Sequence, residues 1–246
     1  MSAPRVSAVI VVHNGERYLG EAIDSALAQA PAPIEVLVID DGSTDGSRAI
    51  AERFGPPVRS IPIGQRGIGG ARNVGVTESR GEYVAFLDSD DLWTPACLRV
   101  LSDAFVDEPE LQVGFGHVRQ FISADIDPAA AARLRPRDDL EPGYLVGAAL
   151  IRRQTLAEIG PFHEDLATGD FIDWTARARE AGVRERLVGE HVLWRRVHET
   201  NHGIVHADKR GDYARILKRA LDRRRAASVE SGAEQVVERE RPATGE

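Results

Sequence analysis

The chain has little cysteine: Cys97 is the only one among 246 residues. A single thiol excludes an internal disulfide and a cysteine-built zinc site. Long apolar runs are missing too, and none approaches the ~20 residues needed to span a bilayer. The N-terminal stretch VSAVIVV is short and is followed at once by polar HNGERY, so no signal peptide is expected and the protein reads as cytoplasmic. Positive charge is in deficit, with a net charge of -8, which argues against a nucleic-acid partner held by bulk electrostatics. Several phosphate and nucleophile motifs are also absent. GIGGAR at 67–72 breaks the Gly-x-Gly-x-x-Gly pattern at Arg72, no Gly-Lys-Ser/Thr occurs, and there is no Gly-x-Ser-x-Gly elbow.

What is present is ordinary in bulk and specific in pattern. Hydrophobic residues make up 42% and charged residues 28%, the balance of a globular protein with a full core. In the first half, continuous apolar runs alternate with helical spacing. Strands are expected at 6–12, 34–40, 58–63 and 83–88, helices at 18–29 and 69–79, and DGSTDGS at 41–47 reads as a capping turn. Such alternation argues for a parallel sheet covered on both faces. The second half predicts a helix over 94–107 with Thr94 as N-cap, an alternating strand over 111–121 and a polar loop over 123–142. A strand at 144–153, a short helix at 153–160, an amphipathic helix at 170–182, a strand at 192–198 and a basic helix at 207–225 follow. The polar tail 227–246 reads as disordered.

Ligands of such sheets sit beyond the carboxyl ends of the strands. His13, Asn14, Asp40, Asp41, Asp88 and Asp90 all fall there. One acidic strand end reads as a capped turn. Two on one rim repel each other unless a cation or donor groups lie between them. A haloacid-dehalogenase phosphatase does not fit, because Leu92 stands where Thr or Val is required.

Four stretches then resemble one family in order and spacing: VSAVIVVHNGERYLGEAIDSALAQ, IEVLVIDDGSTDGS, RGIGGARNVGV and GEYVAFLDSDDLW. Together they resemble the family-2 inverting glycosyltransferases of the GT-A fold, and IGPFHEDLATGDFIDWTARAREAG resembles that family's acceptor-side segment. The resemblance implies one Rossmann-like α/β domain over 1–226, a three-layer sandwich around a mainly parallel sheet. Its nucleotide-binding half would span about 1–93 and its acceptor-side half about 94–226. It implies a hexosyltransferase-type enzyme with a nucleotide-diphosphate sugar donor, UDP-linked most commonly, and Mg2+ or Mn2+ as cofactor. The acceptor stays open among a glycan, a lipid-linked intermediate, a peptide and a natural product. A related nucleotidyltransferase would need a GxGTR loop after the first strand, and HNGERY is not one.

Roles carry over position by position. Val12, His13 and Asn14 stand where Pro-x-Tyr-Asn is common, and His13 borders the base or is an ordinary loop histidine. Asp40 and Asp41 match the base-reading acidic pair. Asp88 would hold ribose or a metal-bound water, with Ser89 beside it and Asp90 on the metal. Arg72 would sit near the diphosphate, and His198 would supply a further metal ligand, ahead of His202 and His206. Arg195 and Arg196 alternate across a strand, so only one can face the diphosphate. Asp170 occupies the position of the general base, with Gly169 in place of the usual Glu and Asp173 as rival. Gly169 keeps a second reading open, a catalytically silent sugar-nucleotide-binding module. The basic helix could approach an anionic membrane or be a solvated face.

Overall fold

The computed structural model describes residues 4–137, 139–198, 201 and 211–239, with side chains described only as far as 226. Its strands are β1 (Val6–Val12), β2 (Glu35–Asp40), β3 (Val58–Pro62), β4 (Tyr83–Asp88), β5 (Leu92–Trp93), β6 (Val113–Ile122), β7 (Glu141–Pro142), β8 (Ala149–Arg152) and β9 (Glu185–Val197). Its helices are α1 (Leu19–Leu27), α2 (Ser47–Phe54), α3 (Gly67–Glu78), α4 (Cys97–Asp107), α5 (Pro128–Ala131), α6 (Arg153–Ile159), α7 (Asp170–Glu180) and α8 (Gly211–Arg239). The strands form one sheet in the order β3-β2-β1-β4-β8-β6-β9-β5, with β7 beside β6.

Burial of both faces explains the apolar strands. All six residues of β2 are buried, and side chains of β1 alternate between two cores. Ile10 and Val12 join Leu19 and Ile23 of α1 in one, while Val9 joins Ala71 of α3 in the other. The second core continues through Phe86, Phe115, Phe162, Phe171 and Trp174, the last two stacked at 5.9 Å. Each fully buried Leu, Ile or Phe of this kind contributes about 1.5–3 kcal/mol. The result is helices on both faces of one sheet, as the alternation predicts.

Chain direction sets the site. β1, β2, β3 and β4 are mutually parallel, and β1 lies between β2 and β4. The chain therefore steps to one side of β1 and then returns to the other, a switch point that opens a crevice at the carboxyl ends. Register places Val12 beside Asp40 and Val11 beside Asp88. In the other half β6 and β9 are parallel, while β8, β5 and β7 run antiparallel to their neighbours.

Some elements differ from the sequence pattern. α4 begins at Cys97 rather than at Thr94, because Thr94 is drawn into the sheet by its N–H to the Val192 carbonyl at 2.9 Å. β9 starts at Glu185, well before the expected 192, and irregular register against β6 around His117 hides its length from simple alternation. The 144–153 stretch divides into a 3-10 turn at Val146–Ala148 and β8. Within 123–142, mostly irregular as expected, lie the short α5 and β7. α8 continues to Arg239 across much of the tail that reads as disordered, since Ala, Glu, Gln and Arg there favour helix. Residues 240–246, and 207–210 at the expected start of that helix, lie outside the described residues. Among the described residues no helix is long and apolar enough to cross a membrane.

Candidate functional site

The loop after β1 and the loop after β2 are stitched into one rim. Asn14 N–H donates to Ser43 Oγ at 2.9 Å, and Asn14 Oδ1 accepts from Thr44 N–H at 2.8 Å. Gly15 N–H reaches Ser47 Oγ at 2.9 Å, and Gly46 N–H donates to Glu16 at 2.7 Å. Asn14 adopts a positive φ of 53°, a conformation that Asn tolerates better than most residues. DGSTDGS is therefore both a capping turn and the scaffold of the neighbouring HNGE loop. The loop also lies against the third strand end, because a Cβ on Gly15 would sit 3.0 Å from Ser89 Oγ.

Each expected nucleotide-side residue has a definite place on this rim. Val12 points into the core at 1% exposure, and its carbonyl accepts the Asp41 N–H at 2.8 Å. Asp40 is buried and accepts Ser43 N–H at 2.9 Å. Asp41 is buried as well, and its two oxygens accept Arg66 N–H at 2.7 Å and Gly67 N–H at 2.9 Å. It thus caps the start of α3, where unpaired N–H groups favour a carboxylate. His13 is exposed on the rim, with Nδ1 2.8 Å from the Asp41 carbonyl.

The acidic turn after β4 divides its carboxylates among three environments. Asp88 is 41% exposed at its side chain. Asp90 is partly exposed, and its Oδ2 lies 3.0 Å from His198 Nε2 and 3.1 Å from Asn201 Nδ2. Asp91 is buried and accepts the Arg196 N–H at 2.8 Å. Burial above all, then the charges of Asp90 and Asp88, push the Asp91 carboxyl well above the usual range, while the Arg196 N–H and the Arg195 charge oppose the rise. Asp91 therefore ties the turn to β9, leaving Asp88 and Asp90 to face the crevice.

A metal fits this donor set only as a shared guest. Among the described residues no group of three or more His, Cys, Asp or Glu side chains could enclose an ion. Asp90 and His198 form a carboxylate–imidazole pair, and a hard cation of this class routinely completes its shell with phosphate oxygens and water. The imidazole suits Mn2+ better than Mg2+. His202 and His206 lie outside the described residues.

Asp170 and Asp173 have different company. Asp170, the first residue of α7, is 3% exposed and both its oxygens accept from Arg72 Nη1, at 2.8 and 2.6 Å. Arg72 Nη2 reaches on to Asp88 at 3.1 Å. One guanidinium thus bridges the candidate base and the acidic turn. Burial disfavours the charged form of Arg72, but Asp170 and then Asp88 outweigh it, and the pKa is raised. Asp173 is fully buried with Arg177 Nε at 3.0 Å and Arg223 Nη1 at 3.7 Å, away from the acidic turn's partners.

Gly169 also has a physical reason. Its φ is +78°, and a Cβ there would lie 2.8 Å from Ile216 Cδ1 of α8. Asp212 of the same helix accepts the N–H groups of Ala167 and Thr168 at 2.8 and 3.1 Å. α8 occupies the space that a glutamate side chain at 169 would need.

Asn201 is not legible as a site residue in the sequence, and Arg196, a candidate for the diphosphate there, has a different role in the structure. Asn201 links Asp90, the Arg196 carbonyl and the His198 N–H in one knot. Arg196 is buried at 1% exposure, donates to the Asp90 carbonyl and to Glu21, and stacks 4.2 Å over Tyr18. It therefore serves the frame of the rim, while Arg195 lies on the opposite face of β9. The run WRRVHETN, which starts within β9 at Trp194 and passes its end, signals a site but not the division of labour within it.

A doubly covered sheet with an acidic rim at its switch point defines the class: an α/β protein with a candidate ligand site at the carboxyl ends of its strands. The family profile described as Glycosyl transferase family 2 matches residues 7–160, and the chain belongs to that family. Glycosyltransferase AglE of Haloferax volcanii is 28% identical over 190 residues, covering 73% of this chain and 62% of AglE. An uncharacterized glycosyltransferase of Nostoc is 41% identical over 105 residues, 41% of this chain and 33% of the relative. The chain thus spans less than two thirds of the length of either. Among solved structures, Staphylococcus aureus TarS 1–349 superposes with a TM-score of 0.63 at 24% identity, over 78% of this chain and 60% of TarS. The same TarS fragment is also solved with UDP, TM-score 0.60, and with UDP-GlcNAc, TM-score 0.63. At that identity the likeness speaks to fold, which is GT-A.

Proposed function

We propose that the chain is the donor-binding and catalytic domain of a metal-dependent inverting glycosyltransferase that uses a UDP-sugar. The observation that carries this reading is the meeting of Asp88, Asp90, His198, Arg72 and Asp170 at one switch point. The complexes of TarS with UDP and UDP-GlcNAc favour the uridine donor. Asp90 and His198 would hold Mn2+ or Mg2+, which supplies positive charge to a departing diphosphate. His13, Asn14 and Asp40 would border the nucleoside, and Asp88 and Ser89 its ribose. Asp170 would take the proton of the acceptor hydroxyl as the new glycosidic bond forms and the diphosphate leaves.

A second reading has one observation in its favour. Both oxygens of Asp170 are engaged by Arg72, which suits a structural ion pair in a catalytically silent donor-binding module. Measuring nucleoside diphosphate release from UDP-sugars with Mn2+, with and without chelator, separates the two. The enzyme reading expects Mn2+-dependent release that Asp170→Asn nearly abolishes. Donor binding without release, across sugars and acceptors, supports the silent module instead.

A further inference from the structure

Arg195 is a charged residue of β9 that makes no hydrogen bond to the acidic rim. It is half-buried, and among the described residues no hydrogen bond or ion pair engages its guanidinium. It lines a cavity of about 320 Å3 together with Tyr144, Leu145, Pro142, Arg137 and Glu141. Arg137 and Glu141 pair with each other at 2.8 Å, and among the described residues no carboxylate lies within ion-pair distance of Arg195. A half-buried guanidinium whose N–H donors have no partner is costly, and an anion in the cavity would accept from them.

The other walls suit a carbohydrate. Tyr144 is 46% exposed, and its ring offers a rigid apolar face with a polar tip. That ring packs 5.2 Å from Phe115, which in turn lies 6.2 Å from Phe171, the residue after Asp170. The platform is therefore built on the same aromatic core that seats the candidate base. None of Asp88, Asp90, Arg72 or Asp40 lines the cavity, so it is separate from the donor rim. It still adjoins the start of α7, through the Tyr144–Phe115–Phe171 ring contacts. The volume is at the lower end for small-molecule pockets, room for about one sugar-sized group.

We propose that this cavity is an acceptor subsite that takes an anionic sugar unit, its phosphate or carboxylate on Arg195 and its ring against Tyr144. The assignment rests on the glycosyltransferase reading above and adds to it the chemical class of the acceptor. Ligand-observed NMR titration tests it with glucose 6-phosphate, glucuronate and glucose as probes, alongside UDP with Mn2+. Wild type should bind the phosphate or carboxylate probe measurably more tightly than glucose. Arg195→Gln should weaken the charged probe about ten- to hundredfold, the range of a lost charged hydrogen bond, and leave UDP binding unchanged. Tyr144→Ala should weaken the same probe, which locates binding in this cavity. Equal binding of charged and neutral probes, or an unchanged affinity in either variant, overturns the subsite. A loss confined to UDP in Arg195→Gln assigns the arginine to the donor and overturns it too. Failure of UDP to bind wild type would count against the glycosyltransferase reading separately, because the sugar probes are read without it.

Discussion

Asp170 and Asp173 stand one turn apart on α7 and should fail in different ways. Asp170→Asn removes a proton acceptor, and turnover should fall about 100- to 10,000-fold while donor affinity changes little. Asp173→Asn removes the charge that balances Arg177 and Arg223 in a fully buried site. It should lower unfolding free energy by about 2 kcal/mol, read as a lower urea midpoint, with turnover per folded molecule retained. Asp170→Asn also strips Arg72 of an ion pair, so turnover per folded molecule, not stability, separates the variants. At the proposed metal pair, Asn201→Ala should weaken Mn2+-supported nucleotide binding about 10- to 100-fold, since Asn201 orients Asp90 by a hydrogen bond at 3.1 Å. Binding equal to wild type would remove Asn201 from the site. At this scale the sequence placed Asp40, Asp41, Asp88 and Asp90 at or just past strand ends, because short acidic turns after apolar strands are local patterns, while Asp170 and His198 came from the family resemblance. It did not reveal Asn201, the framing role of Arg196 or the Arg72–Asp170 contact: Asn201 and Arg196 reach Asp90 across 111 and 106 positions, and Arg72 reaches Asp170 across 98.

α8 is the element that most affects how α7 begins. Gly169→Glu, which restores the residue usual in the resembled family, forces a side chain into Ile216 at a backbone angle that L residues disfavour. The variant should be less stable by about 1–3 kcal/mol, measured by denaturant unfolding. A stable Gly169→Glu would mean that α8 does not hold that position. Asp212 adds a pH dependence. Its hydrogen bond from Arg215 above all, then those from Thr168 and Ala167, depress its pKa below the usual carboxylate range against some burial. A depressed folded-state pKa gives stability that is present above the unfolded value and lost as pH falls through the folded one. Stability should therefore drop below about pH 4, and Asp212→Asn should flatten that limb of an unfolding-versus-pH curve. β1, β2 and β4 were legible because mostly apolar runs of six or seven residues mark doubly buried strands, whereas β3 is shorter and only partly buried. β9 and the split at 146–149 were not, since bulged pairing and a single 3-10 turn leave no periodic trace.

The whole molecule brings two sequence-distant halves to one crevice: the donor rim from residues 12–90, and Asp170 and His198 from the other half. Nucleotide, metal and protein should therefore behave as one linked system. The most direct test is the thermal unfolding midpoint with UDP, with and without Mn2+, for wild type and Asp90→Ala. A ligand at a hundredfold excess over its dissociation constant stabilises by ~2.7 kcal/mol, roughly 5–10 °C for a domain of this size. Wild type should show that rise with UDP and Mn2+ together, and lose most of it with chelator or with Asp90→Ala. An equal rise in chelator and in Asp90→Ala, or no rise with UDP and Mn2+, would contradict the metal-dependent donor site.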